Sequence, residues 1–395
     1  MRHRPIYLDA HATTPVDPQV LAAMLPYFTE QFGNPASGGH VYGWEAEAAV
    51  QQARESLAAA INADPQEIVF TSGATEANNL AIKGVAEAYC AKGRHLITVV
   101  TEHRAVLDPY AYLQTLGFET TLLPVTATGL VNLAQLAQAI RPDTLLVSVM
   151  AANNEIGVIQ PLAQIGAICH RHGVFFHTDA AQAIGKIPLD VAAMQIDLMS
   201  LTAHKIYGAK GIGALYVRRK NPRVQLAAQL HGGGQERGLR SGTLYTPQIV
   251  GFAKAVELSL ATLASETERI QTLRDRLWQQ LQAIEGIQLN GDPTQRLVNN
   301  LNVSIPGIDG AALMLGLQPT MAVSSGSACS TGKAAPSHVL TAIGRSPALA
   351  AASLRIGISR FTTREEIDQS AQIIIDTVQA LRQATIKGSV GSRIF

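Results

Sequence analysis

The sequence predicts an α/β protein in which a large domain, built on a mostly parallel sheet, is joined to a smaller α+β domain. Three observations predict it. Short, near-continuous apolar runs alternate with helical patterns over the first two thirds of the chain. A long helical stretch then gives way to shorter elements of a different rhythm. Finally, hydrophobic residues make up 47% of the 395 residues and charged ones 15%, which allows a large buried core.

Ala, Val and Leu at helical spacing over residues 46–61 predict a helix. Asp64-Pro65-Gln66-Glu67 predicts a turn, and Ile68-Val69-Phe70-Thr71 a short buried strand. Further strands are expected at 95–100, 144–149, 174–178 and 198–201, with a helix over 161–172 among the helical patterns between them. Strands that are apolar on both faces belong in a parallel sheet covered on both sides. Residues 246–285 contain no proline beyond Pro247 and read as one long helix. Strands at 301–305 and 353–358 follow, then an amphipathic helix over about 363–384 and a loose end from Lys387 to Phe395. The expected division is a large domain of residues 14–264 and a small domain made of residues 1–13 and 265–395.

A formal net charge of +1 gives no global field to recruit nucleic acid or an anionic membrane. Arg218-Arg219-Lys220 reads as a solvated strand end. No run of about 18 apolar residues could span a bilayer, and MRHRPIYLDA lacks the apolar stretch of a secretory signal. Cys90, Cys169 and Cys329 are odd in number and widely spaced, without metal-ligand spacing. No disulfide framework and no metal site are therefore expected, and a cytoplasmic location is.

The segment from Asp197 to Val217 is the richest in chemistry. A strand delivers Thr202, His204 and Lys205 to its end, and Gly208, Gly211 and Gly213 allow a tight return. A lysine placed there can be desolvated enough to lose its proton and form a Schiff base, although one lysine alone more often lies in a surface hairpin. Asp179 also ends a strand, twenty-six positions earlier, with Gln182 beyond it. A buried carboxylate there suits a pyridine-ring nitrogen that must stay protonated; it equally suits a helix cap. Ser72 to Thr75, including Ala74, form a strand-to-helix turn with free N–H groups, an anion site suited to phosphate. His103 ends another strand and could stack on a ring or move protons beside it.

Together, Ser-Gly-Ala-Thr-Glu-Ala-Asn-Asn (72–79), Thr-Glu-His (101–103), Asn-Asn-Glu-Ile-Gly (153–157), Asp-Ala-Ala-Gln (179–182), His-Lys-Ile-Tyr-Gly (204–208) and Arg-Ser-Gly-Thr (240–243) resemble the class V aminotransferase group. Within it they look most like cysteine desulfurases of the NifS/IscS type. The resemblance covers nearly the whole chain, from Tyr7-Leu-Asp and Ala12-Thr-Thr-Pro to Arg360-Phe-Thr-Thr. It implies a fold-type I pyridoxal 5'-phosphate enzyme, a homodimer, and conversion of L-cysteine to L-alanine. Lys205 is then the residue joined to the cofactor. Asp179 pairs with the ring nitrogen, His103 stacks on the ring and Gln182 bonds its oxygen. Ala74, Thr75, Thr202 and His204 hold the phosphate, and Thr243 reaches it from the other subunit. Asn34, Asn154 and Arg355 belong with the substrate, Arg355 clamping its carboxylate. Thr202 stands where serine is more usual, Ala180-Ala181 replaces a common Ala-Thr pair, and His11 sits in a variable part of its motif.

The small, polar run at about 322–336 reads as a loop, and Cys329 within it is anomalous for a residue usually buried. Its thiolate is expected to take the substrate's sulfur as a persulfide. Lys333 could lower that thiol's pKa, a solvated loop lysine being the plainer account. The loop's length resembles the group I desulfurases. Sulfur-accepting or scaffold proteins of iron–sulfur cluster assembly, or of tRNA thiolation, are the implied partners. Selenocysteine lyase and cysteine/cystine C–S lyase are alternatives, as is a non-catalytic scaffold. An oxidoreductase is disfavoured because no Gly-x-Gly-x-x-Gly follows an early strand.

Overall fold

The computed structural model describes residues 4–325 and 336–391, with side chains up to residue 384. In chain order, β1 (Ile6–Tyr7), α1 (Pro18–Met24), α2 (Pro26–Thr29) and α3 (Val41–Ala59) lead into β2 (Ile68–Thr71). Then α4 (Ala74–Tyr89), β3 (His95–Val99), α5 (Arg104–Thr115), β4 (Glu119–Leu123), α6 (Leu133–Ala139), β5 (Thr144–Ser148) and α7 (Leu162–Arg171) alternate. Strands β6 (Phe175–Asp179), β7 (Leu198–Thr202) and β8 (Gly213–Val217) follow. Among the described residues these make a seven-stranded sheet in the order β2-β8-β7-β6-β5-β3-β4. Only β8 runs antiparallel to its neighbours, so β3 to β7 are parallel and point their C-terminal ends to one side. Strands β2, β3 and β5 to β8 are largely buried, as their apolar runs require, apart from a half-buried Phe175. The exposed Glu119 and Leu122 belong to the edge strand β4, which the apolar pattern did not reveal.

The expected long helix is two: α8 (Thr246–Ala261) and α9 (Leu263–Leu281) meet at Thr262. Its hydroxyl donates to the Leu258 carbonyl, and its backbone (φ −106°, ψ 4°) leaves the helical range. A Thr hydroxyl bonding back four residues bends helices, a signal that proline counting misses. Helix α8 packs on α1 and α3, whereas α9 turns its Ile270, Leu273, Leu277 and Leu281 into a separate core.

The chain goes on through β9 (Gln288–Leu289), β10 (Asn300–Ser304), α10 (Gly310–Leu317), β11 (Met321–Ala322), β12 (Ser324–Ser325), α11 (His338–Ala342), α12 (Pro347–Ala351), β13 (Ser353–Gly357) and α13 (Arg364–Gly391). The second core draws on β10, α10, β11, β13 and α13, whereas Val339 and Leu340 of α11 and Ala350 of α12 pack with Ile156 and Val158. The backbone stays helical to Gly391, past the loose end the sequence suggested, as no proline interrupts it. Strands pair antiparallel in the order β12-β13-β10-β9, and β1 pairs with β11. The N-terminal segment thus belongs to the second core through Leu8, yet continues to the turn that follows β7 of the large sheet.

Candidate active site

The C-terminal ends of the parallel strands open onto one cavity of about 600 Å³. From β7 the chain turns through Ala203, His204 and Lys205, and all three of Thr202, His204 and Lys205 line the cavity. Two residues on, Tyr207 holds φ 67°, the left-handed region that a bulky side chain avoids. The turn is pinned from outside. Thr14 donates its hydroxyl to the His204 carbonyl and accepts from the Tyr207 N–H, at 2.9 and 2.8 Å. Burial lowers the Lys205 pKa, which favours a nucleophilic neutral amine; Asp179 opposes the shift and Arg355 adds to it. His204 is pushed down to about 4 by burial and then by Lys205, Lys210 and Lys186.

Asp179 ends the neighbouring strand. Its Oδ1 accepts from the Ala181 N–H at 2.9 Å and its Oδ2 from Asn78 Nδ2 at 2.7 Å. The cap it forms is on a turn, not on a helix. Gln182 lies beside it within a buried polar chain. Its Oε1 accepts from Lys186 Nζ at 3.0 Å and its Nε2 donates to the His11 carbonyl at 2.9 Å. His11, buried and held well below the usual imidazole pKa by burial, is neutral. Asn300 Nδ2 donates to its Nε2, so its Nδ1–H points to Gln182 Oε1. Two donors on that oxygen fix the amide of Gln182.

Helix α4 starts at Gly73, which has φ 153° and no side chain to cap the first turn. Its free N–H groups stand beside Thr75 and Thr202 in the cavity, a site that favours an anion. The turn sits hard against Gly213, where a Cβ would fall 2.7 Å from the Gly73 Cα. Glu76 is occupied by Arg240 (2.7 Å) and by the Ser72 N–H, which outweigh the effect of its burial and lower its pKa.

His103 caps α5: its Nδ1 accepts from the Ala105 N–H at 3.0 Å, which leaves Nε2 as the protonated nitrogen. Burial holds its pKa down, so it is a neutral ring in the cavity. Before it, Glu102 is wholly buried, accepts from the Met150 N–H, and is pushed well above the carboxylate range by burial. Asn154 lines the cavity, while Asn153 spends its side chain on the Thr101 carbonyl and the Glu155 and Ile156 N–H groups.

Arg355 comes from β13 in the second core. Its Nη1 donates to the Asn154 carbonyl at 3.2 Å, and its Nη2 to Asp9 Oδ1 at 3.0 Å and Ser324 Oγ at 2.9 Å. At the far side of residues 326–335, Ser337 hydrogen-bonds the buried Glu155, whose pKa burial raises.

The cavity therefore gathers Ala74, Thr75, His103, Asn154, Asp179, Gln182, Thr202, His204 and Lys205. Asn34 lies apart, in a cavity of about 430 Å³, where its side chain caps its own turn at Ala36. Thr243 is exposed and outside the Lys205 cavity. Cys329 and Lys333 lie outside the described residues. Cys169 is buried, its thiol pKa raised by burial, and Cys90 is exposed at the end of α4. Sequence reasoning missed Asp9, Asn78, Lys186 and Asn300. A polar residue on the inward face of a helix marked Asn78; the others carried no local signal.

The aminotransferase class-V family model matches residues 6–369. The chain belongs to this family. Class V aminotransferases use pyridoxal 5'-phosphate, and the chain is accordingly an enzyme that depends on it. It is 56% identical to the cysteine desulfurase IscS of Methylococcus capsulatus, covering 96% of this chain and 94% of that one. It is 52% identical to a cysteine desulfurase of Mus musculus, over 96% and 83%. Among solved structures, a NifS-like protein matches with a TM-score of 0.89 at 38% identity, over 96% and 100%. The structure titled SspA in complex with cysteine matches with 0.80 at 41%, over 91% and 100%. The residues present fit the cofactor. An uncapped helix N-terminus suits its phosphate, a buried carboxylate its ring nitrogen, and a desolvated lysine its aldehyde.

Proposed function

We propose that this enzyme is a cysteine desulfurase that converts L-cysteine to L-alanine and passes the sulfur to Cys329 as a persulfide. The observation that carries the reading is the convergence of Lys205, Asp179 and His103 on one cavity, with Arg355 held beside Asn154 on its margin. When bound, pyridoxal phosphate acts as an electron sink for the substrate's Cα. Lys205 would anchor the cofactor and, once released from it, would be a base in the same cavity able to move the Cα proton. His103, neutral with its proton on Nε2, covers the ring and serves proton transfer. Asp179 keeps the ring nitrogen protonated, and Arg355 binds the substrate carboxylate. The Cys329 thiolate forms an S–S bond to the substrate's Sγ. The C–S electron pair remains with Cβ, which gains a proton and becomes the methyl group of alanine.

A homodimer completes the site in this reading. Leu21, Leu25, Phe28, Phe32 and Trp44 of the N-terminal helical region are exposed, and Phe28 meets Tyr245 edge-on at 6.2 Å. Such an apolar patch asks for cover, and a second copy would bring its Thr243, next to Tyr245, toward the phosphate. No helix among the described residues is long and apolar enough to cross a membrane. The reading places the enzyme in the cytoplasm, supplying sulfur to acceptor proteins of iron–sulfur cluster assembly or tRNA thiolation. The test is alanine formation from cysteine, cystine and selenocysteine, assayed side by side with sulfide release. Preference for cysteine with dependence on Cys329 supports it. Preference for selenocysteine, or cystine cleavage indifferent to Cys329, replaces it with a lyase.

A further inference from the structure

Arg355 is held by a closed triangle. Register across β12 and β13 sets Ser324 opposite it. The N-terminal segment delivers Asp9, because the Gly357 N–H donates to the Leu8 carbonyl and the Ala10 N–H to the Gly357 carbonyl. Position 357 has to be glycine for this approach, since a Cβ there would stand 2.7 Å from the Ala10 nitrogen. Arg355 Nη2 then donates to both Asp9 Oδ1 and Ser324 Oγ, while the Ser324 hydroxyl donates to the same Asp9 oxygen at 2.9 Å. With Nη1 on the Asn154 carbonyl, the plane of the guanidinium is fixed at both ends.

Two of its five N–H groups are left over, one on Nη1 and the one on Nε. Among the described residues the buried Nε–H has no acceptor, and an unpaired buried donor is costly enough to call for a ligand that satisfies it. A free arginine side chain would lose much rotamer freedom on gripping a carboxylate; here that ordering is complete beforehand. Asp9 also supplies a counter-charge that makes the half-buried cation tolerable before substrate arrives.

We infer that Asp9 is a positioning residue that aims Arg355 at the substrate and so makes the enzyme selective for amines bearing a carboxylate. The inference rests on the reading of Arg355 as the carboxylate clamp. It is tested on the holoenzyme by following the cofactor's visible absorbance during titration with L-alanine and with ethylamine, the same molecule without its carboxylate. Asp9→Ala is expected to weaken alanine about tenfold and leave ethylamine within about twofold. KM for cysteine rises in step while kcat holds within about threefold. Asp9→Asn, which keeps an acceptor at Oδ1, restores most of the loss. Asp9→Glu, which shifts the carboxylate by a methylene, shows a selective loss of about threefold, and decides the matter if Asp9→Ala does not load cofactor. Arg355→Ala is expected to lose alanine selectively. If it does so while the Asp9 variants bind both amines like the parent, or weaken both alike, Asp9 has no positioning role. If Arg355→Ala itself keeps the preference for alanine, the clamp reading fails first.

Discussion

The two sides of the active site are built by different means. On the large-sheet side, Lys205, Asp179 and His103 stand at the ends of the parallel strands β7, β6 and β3 or just beyond them, and hydrogen bonds pin the surrounding backbone. On the other side, Arg355 sits on the half-buried middle of a five-residue strand. Its place depends on side-chain bonds to Asp9 and Ser324 and on one backbone carbonyl. The contrast teaches that the placement of Lys205, Asp179 and His103 is a property of the sheet, whereas the placement of Arg355 is a property of a few polar contacts. Loss of a contact should therefore be local on the second side and global on the first.

The sharpest break is Cys329→Ser. It is expected to keep the cofactor and its spectral response to cysteine but to release no sulfide above background; unaltered release would turn the enzyme into a C–S lyase. Next comes the rigid side. His177, fully buried between Ser148 and Ser200, is pushed down to about 4 by burial. Its folded pKa lies below the unfolded value of about 6.5, so the unfolded chain binds the proton first as pH falls. Stability is intact above about pH 6.5 and is lost progressively toward pH 4. His177→Asn should reduce that acid-induced loss by about 3 kcal/mol, measured by denaturant unfolding at both ends of the window. An unchanged pH dependence would show that this histidine is not held neutral.

Arg355→Ala should lower kcat/KM for cysteine by about 1.5–3 kcal/mol while cofactor affinity holds. Loss of the cofactor instead would erase the distinction between the two sides. The smallest effect is expected at Thr202→Ser, which keeps the hydroxyl and removes a buried methyl. Cofactor affinity should stay within about twofold and stability fall by about 0.8 kcal/mol. A large loss of affinity would mean that the methyl shapes the anion site.

What the sequence revealed follows the same division. Apolar strands ended by a polar residue are legible because burial on two faces demands a run of one character and the end of a strand breaks it. Lys205, Asp179 and His103 were found that way. The partners of Arg355 were not, since Asp9 and Ser324 are 346 and 31 positions from it and only the fold brings them together. Asn34 and Thr243 stand outside the Lys205 cavity; they were placed by resemblance alone, and no strand end or buried run marks either. The break at Thr262 escaped notice because threonine is an ordinary helix residue until its hydroxyl turns back on the chain.

The N-terminal segment has a consequence for biosynthesis. Residues 6–14 leave the ribosome long before their partners at Met321–Ala322, Arg355 and Gly357. The parallel strands and the cup at α4 can assemble while translation continues. The pocket is completed only when the chain's two ends meet, so a nascent or C-terminally truncated chain can be folded over much of its length and still be unable to tell an amino acid from a simple amine.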